Sequence, residues 1–185
     1  KKSFFAIFKQ IIVFFNSLSM LSRSRKGFTM VELIIVIAII AVLAAGIFVA
    51  VDPARRLHES RNARRRTDVA TILDALVKYQ ADNGGTHYST VAATTAASFY
   101  VIGTNAAGCD TTCTAKTTQA ACVNLSALPT TYLASTPLDP STGTAANSDY
   151  YLSRGATGTL TVGSCDTEGE GSGGSGTPPA IEKSR

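Results

Sequence analysis

Glu32 is the first residue in this chain whose chemistry demands a partner. It stands near the start of Val31 to Val51, a stretch otherwise made of Ile, Val, Leu, Ala, Gly and Phe. An ionisable group in such a setting is by default functional and calls for a named counter-group. No Lys, Arg or His lies within the run, so the partner must come from outside this helix or be created from it. The second reactive set is four cysteines, Cys109, Cys113, Cys122 and Cys165, all C-terminal to the run. An even number confined to one side points to disulfides in an oxidising compartment, with the connectivity left open. Zinc is the weaker alternative, because Cys109 and Cys113 have no second closely spaced pair and His58 and His87 are remote in sequence.

Other polar groups carry less. Arg55, Arg56, Arg61, Arg64, Arg65 and Arg66, with Glu59 and Asp68, read as solvated or intersubunit salt-bridging faces of a helix. Attraction of nucleic acid is a minor reading, since no aromatic stacking residues accompany them. Asp139 and Asp149 flank a polar loop whose spacing fits no calcium template, so a turn built on Pro137 and Pro140 is expected instead. Asn124-Leu125-Ser126 is a formal glycosylation sequon. Gly-x-Ser-x-Gly, phosphate-loop and His-Glu-x-x-His patterns are absent from the sequence. The expectation is therefore no catalysis, no cofactor and no metal.

These groups must be positioned by elements the pattern makes legible. A helix of about twenty residues rises about 30 Å, the hydrocarbon thickness of a membrane. The run's roughly fourteen Ile, Leu, Val and Phe residues contribute about −0.3 to −0.6 kcal/mol each, against about +2.5 to +3.5 kcal/mol for one acidic residue at a helix centre. Insertion survives the glutamate. Beyond the run, Val69, Ile72, Leu73 and Leu76 fall at i, i+3, i+4 and i+7, which predicts an amphipathic helix ended by Asn83-Gly84-Gly85. Pro53 can be read in two ways: it kinks one continuous helix, or Asp52 caps a new helix with Pro53 at its first position. Strands are expected in "SFYVI" at Ser98, "TYLAS" at Thr131, "DYYLS" at Asp149 and "TLTVG" at Thr159, the last two forming a hairpin around "RGATG". The tail from Glu168, "EGEGSGGSGTPP", reads as a flexible linker. The fold class is α+β: a long N-terminal helix, half transmembrane and half amphipathic, packed on a small antiparallel sheet. The divisions expected are 1–27 leader, 28–52 membrane helix, 53–83 amphipathic helix, 84–167 β-rich domain and 168–185 flexible tail.

The net charge of +4 resides in the leader, where Lys1, Lys2, Lys9, Arg23, Arg25 and Lys26 meet no acid. "SRSRKG" followed by "FTMVE" resembles the processing site of type IV prepilins and pseudopilins. The resemblance implies that a prepilin peptidase cuts between Gly27 and Phe28, that Phe28 is then N-methylated, and that Glu32 is the acidic assembly residue. The cut would supply the missing charge, because the new ammonium at Phe28 meets Glu32 of a neighbouring, staggered subunit. "ESRNARRRTDVATILDALVKYQADNGG" is similar to the post-membrane helix of pilin-like proteins, and "YLASTPLDPSTG" with "YYL" to a loop and strand of pseudopilins. The resemblance implies a pilin-like fold, a homo-oligomeric helical filament, a pilus or secretion assembly platform as partner, membrane residence before assembly and a surface or extracellular filament after it. A periplasm-spanning pseudopilin and a monomeric signal-anchored binding domain are the rival readings. Two features depart from the family pattern: the leader has an apolar stretch, Phe4 to Phe15, and a positive-inside count alone favours the distal side as cytoplasmic. The processing signature and the cysteines place the distal domain outside.

Overall fold

The computed structural model describes residues 27–185. The expected leader, including the stretch Phe4 to Phe15, lies outside the described residues except for Gly27. The chain divides into two units, Lys1–Ile47 and Phe48–Arg185.

Helix α1, Met30–Val51, carries the apolar run. It is apolar all round, as expected of a buried core helix or a membrane span. Its described side chains are all exposed, so nothing among the described residues covers them, and it is long and apolar enough to cross a membrane.

Helix α2, Pro53–Asp82, follows after one residue. Asp52 has left-handed backbone angles (φ 48°, ψ 72°), and its carboxylate accepts from the Arg55 amide at 3.3 Å. Of the two readings of Pro53, the cap is the one realised: a left-handed residue cannot continue an α-helix, and Pro53 at the first position forfeits no hydrogen bond. The helix stops where the glycines stand. Gly84 and Gly85 both have positive φ, and the Gly85 amide donates to the Gln80 carbonyl at 2.8 Å, satisfying a carbonyl that the helix end leaves free.

The predicted stripe is the core. Val69, Ile72, Leu73 and Leu76 are at most 2 % exposed and pack against Leu152, Leu160 and Val162 of the sheet, with Val91, Ile102 and Leu125 closing the sides. Burying each such side chain contributes about 1.5–3 kcal/mol. The sheet is antiparallel in the order β1-β2-β3-β4: Phe99–Val101, Tyr150–Arg154, Leu160–Ser164 and Glu182–Ser184. The β2–β3 hairpin pairs Arg154 with Leu160 around the expected loop, where Gly158 takes φ +88°. The face of the sheet away from α2 is covered too, by Val101, Tyr151, Cys109 and Cys165 with Phe99 against them. A Cβ on Gly163 would fall on the Tyr151 ring, so that position has room only for glycine. A short helix α3, Ser89–Ala92, adds Val91 to the core.

Two expectations are corrected. Thr131–Ser135 is a turn and not a strand. The amides of Tyr132 and Leu133 both donate back to the Pro129 carbonyl, and the Tyr132 ring stacks edge-on against Tyr79 at 5.3 Å. The tail is not a flexible linker. Ile181 is buried in the core, β4 adds a fourth strand to β3, and residues 168–176 lie along α2. The tail's glycines serve geometry: Gly173, Gly174 and Gly176 have positive φ, and a Cβ on Gly169 or Gly171 would strike the backbone of Ser175.

Candidate functional site

The N-terminal residues converge at the start of α1. Gly27 is exposed, a Cβ there would meet nothing within 4 Å, and its φ is not positive. Among the described residues neither space nor backbone conformation requires glycine at this position. Phe28 is 87 % exposed. Thr29 and Glu32 form a reciprocal capping box: the Thr29 hydroxyl oxygen accepts from the Glu32 amide at 3.2 Å, and the Glu32 carboxylate accepts from the Thr29 amide and hydroxyl, both at 2.9 Å. Two helix-end donors are thereby satisfied. The sequence reading missed this role, though Thr-x-x-Glu before an apolar run is its ordinary signature. Cutting before Phe28 would leave both capping bonds intact, because the Thr29 amide belongs to the Phe28–Thr29 peptide. Gly46 is the other unexplained residue of α1. A mid-helix glycine costs about 1 kcal/mol relative to alanine, and a Cβ there would touch nothing among the described residues.

The cysteines pair as Cys109–Cys122 and Cys113–Cys165. The first closes the Thr-rich loop on itself. The second ties that loop to the residue following β3, so both staple the sheet face that α2 does not cover. With all four oxidised, none is available to a metal, and no group of three or more metal-ligating side chains occurs among the described residues.

Within the arginine cluster Arg55, Arg56, Arg64 and Arg66 lie on a solvated face, whereas Arg61 is partly buried and Arg65 departs from the solvated or intersubunit face expected. Arg65 is wholly buried, donating from Nε to Asp139 Oδ2 at 2.5 Å and from Nη2 to Asp139 Oδ1 at 2.9 Å, with Glu168 at 3.1 Å from Nη1. Arg61 pairs with Glu168 at 2.8 Å and Arg66 with Glu170 at 3.2 Å. Arg55 and Arg56 share Glu59, and Arg64 faces Asp68 at 3.7 Å. All six arginines thus have an acidic neighbour in the chain itself. Asp139 also accepts from the Ser141 and Thr142 amides, the turn expected of this loop. Burial pushes its carboxyl up, but the bonds from Arg65 and Ser141 outweigh that and hold it below the usual range. Asp149, buried with positive φ and with no cation paired to it among the described residues, goes the other way: burial, with Asp166 and Asp139 nearby, raises its pKa.

A cleft of about 600 Å³ opens beside α2, lined by Arg64, Leu128, Leu133, Pro137 and Leu138 among others. Its lining contains no His, Cys, Asp or Glu, so its Ser and Thr hydroxyls have no base to activate them.

Residues 22–48 match the family described as the prokaryotic N-terminal methylation motif, the signature of type IV pilins and pseudopilins. The matched segment holds Gly27, Phe28 and Glu32 and most of α1. No curated protein and no solved structure matches the chain. The motif supports a type IV pilin-like or pseudopilin protein, and the α+β architecture of α1 and α2 with a small antiparallel sheet is consistent with a pilin-like fold. Such a protein is processed by prepilin peptidase, assembles into pilus-type complexes and is held in the membrane by its apolar helix beforehand.

Proposed function

We propose that the chain is the structural subunit of a type IV pilus filament, cut after Gly27, methylated on Phe28 and assembled through α1. The observation that carries the reading is α1 itself: an apolar helix with a carboxylate in its first turn and nothing among the described residues to cover it. A second copy presents an equivalent helix, which buries that surface. The ammonium formed at Phe28 is the counter-charge for Glu32 of a neighbour and sets the register between copies, since a misregistered pair leaves one charge buried and alone. Gly46, where a Cβ would meet nothing among the described residues, is a point where a neighbouring helix approaches closely. In this reading residues 1–27 are the leader, 28–52 the assembly helix and 53–83 the spine. The stapled sheet extends to residue 185, because the tail packs on it. The subunit waits in the cytoplasmic membrane and ends in a surface filament.

The capping box supplies the test. Glutamine at the third helical position caps as glutamate does, so Glu32→Gln keeps the helix start and removes only the charge. Charge pairing predicts that Glu32→Gln and Glu32→Ala both insert in the membrane and both lose filaments. Normal filament yield from Glu32→Gln with loss in Glu32→Ala would leave Glu32 as a cap and end the pairing mechanism. Processed chains confined to a short envelope-spanning fibre, with none in surface shearings, would indicate a pseudopilin.

A further inference from the structure

The Gly-rich segment Glu168 to Gly176 reaches back across the whole first half of α2. At one end the side chain of Asn62, itself 0 % exposed, grips Glu168 as a neighbouring strand would: its amide donates to the Glu168 carbonyl at 2.7 Å, and its oxygen accepts from the Glu168 amide at 3.1 Å. The same Asn62 amide donates to Glu170 at 2.9 Å. Arg61, Arg65 and Arg66 neutralise Glu168 and Glu170. One helical stretch toward the N-terminus, a His58 ring nitrogen lies 2.9 Å from the Gly169 carbonyl, and a Cβ on Gly174 would strike the His58 ring. At the far end the Gly173 amide donates to Asp52 Oδ2 at 2.8 Å. Asp52 is the left-handed residue that separates α1 from α2.

A non-glycine residue in the left-handed region is strained and persists only where its surroundings over-determine it. Local support for Asp52 comes from the first turn of α2: its carboxylate accepts a long bond from the Arg55 amide at 3.3 Å and its carbonyl one from the Arg56 amide at 3.2 Å. The stronger bond, at 2.8 Å, comes from 121 residues further along the chain. The segment is held at both ends independently of Asp52: it leaves β3 beside Cys165, which is bonded to Cys113, and it returns to the domain through Ile181 and β4. We propose that residues 168–176 form a clasp that fixes the helix break at Asp52, so that the break acquires its final conformation only once the C-terminal segment has docked on the completed domain. The clasp is a checkpoint: a chain with an unfolded or missing C-terminal segment has no fixed break between its two helices.

Amide hydrogen exchange on the full-length chain in detergent micelles reads both ends of the device. Asn62→Ala removes the grip on Glu168, ten residues from Asp52. The clasp predicts faster exchange, by about tenfold or more, at residues 168–176 and also at the Arg55 and Arg56 amides, while β2 and β3 stay protected. Coupling between two sites is reciprocal. Asp52→Gly keeps the left-handed backbone and removes the carboxylate, and it must therefore speed exchange across residues 171–175. Freed residues 168–176 with unchanged Arg55 and Arg56 amides in Asn62→Ala would overturn the proposal. If Asn62→Ala instead unprotects β2 and β3, Asp52→Gly decides alone, and unchanged exchange at 171–175 in that variant overturns the proposal.

Discussion

The ion pair of Arg65 with Asp139 joins two side chains that are each 0 % exposed, one from α2 and one from the loop before β2. Removing one partner of such a pair leaves the other charge buried and alone, at a cost of about 3–5 kcal/mol, whereas replacing both by apolar groups is often neutral. Asp139→Leu should cost about 3 kcal/mol or more: Glu168 still lies 3.1 Å from the guanidinium, but the Ser141 and Thr142 amides lose their acceptor. Arg65→Met should cost a similar amount, since Arg65 also donates to Asn62 and Ser141. The combination of Arg65→Met with Asp139→Leu is expected to cost less than Arg65→Met alone. Urea unfolding of the full-length chain in micelles measures this, followed by tyrosine fluorescence because the chain has six Tyr and no Trp. With urea slopes of about 1–3 kcal/mol per molar, a loss of about 3 kcal/mol moves the midpoint by about 1–3 M. A shift below about 0.5 M for Arg65→Met, or a double variant that loses the sum of the two singles, would refute the buried-pair reasoning.

Acid should weaken the domain. Asp139, Glu168 and Asp52 all have lowered folded-state pKa values: in Asp139 and Glu168 burial is outweighed by arginine bonds, and in Asp52 the Gly173 amide leads. Their stabilisation is complete above the ordinary values of 3.8 for Asp and 4.5 for Glu and is lost as pH falls through the lowered ones, so the urea midpoint should hold at pH 6 and drop by pH 3. Asp149 has the opposite sign, its pKa raised by burial. Asp149→Asn, which keeps a residue tolerant of positive φ, should raise the midpoint at pH 7, with the gain shrinking as acid protonates the native carboxyl; calorimetry at two pH values checks it. Loss of Cys113–Cys165, which spans 52 residues, should cost about 4 kcal/mol, and loss of Cys109–Cys122, which spans 13, about 3 kcal/mol. Melting temperatures of the paired Ser variants should fall in that order.

Periodicity made the core legible. The stripe from Val69 to Leu76, the stop at Gly84 and the hairpin around Gly158 each follow from local residue types, and the structure has them all. Composition misled where glycine was taken for flexibility. In residues 169–176 glycine supplies positive φ and close approach, which only the packed loop makes visible. Thr131–Ser135 has strand-like residues, but the turn begun at Pro129 overrides their propensity. Arg65 was indistinguishable from its five neighbours, because what buries it comes from Asp139 and from Glu168, 74 and 103 residues away. At the candidate site the sequence disclosed that Glu32 wants a partner. It also held the local one, Thr29, in plain view.

The central claim is that processing at Gly27 creates the subunit that assembles. Intact mass and N-terminal sequencing of the protein in sheared cell-surface material test it directly. A chain beginning at N-methylated Phe28 in that fraction is the predicted result. An uncut chain found only in membranes would contradict it and leave a signal-anchored domain in its place.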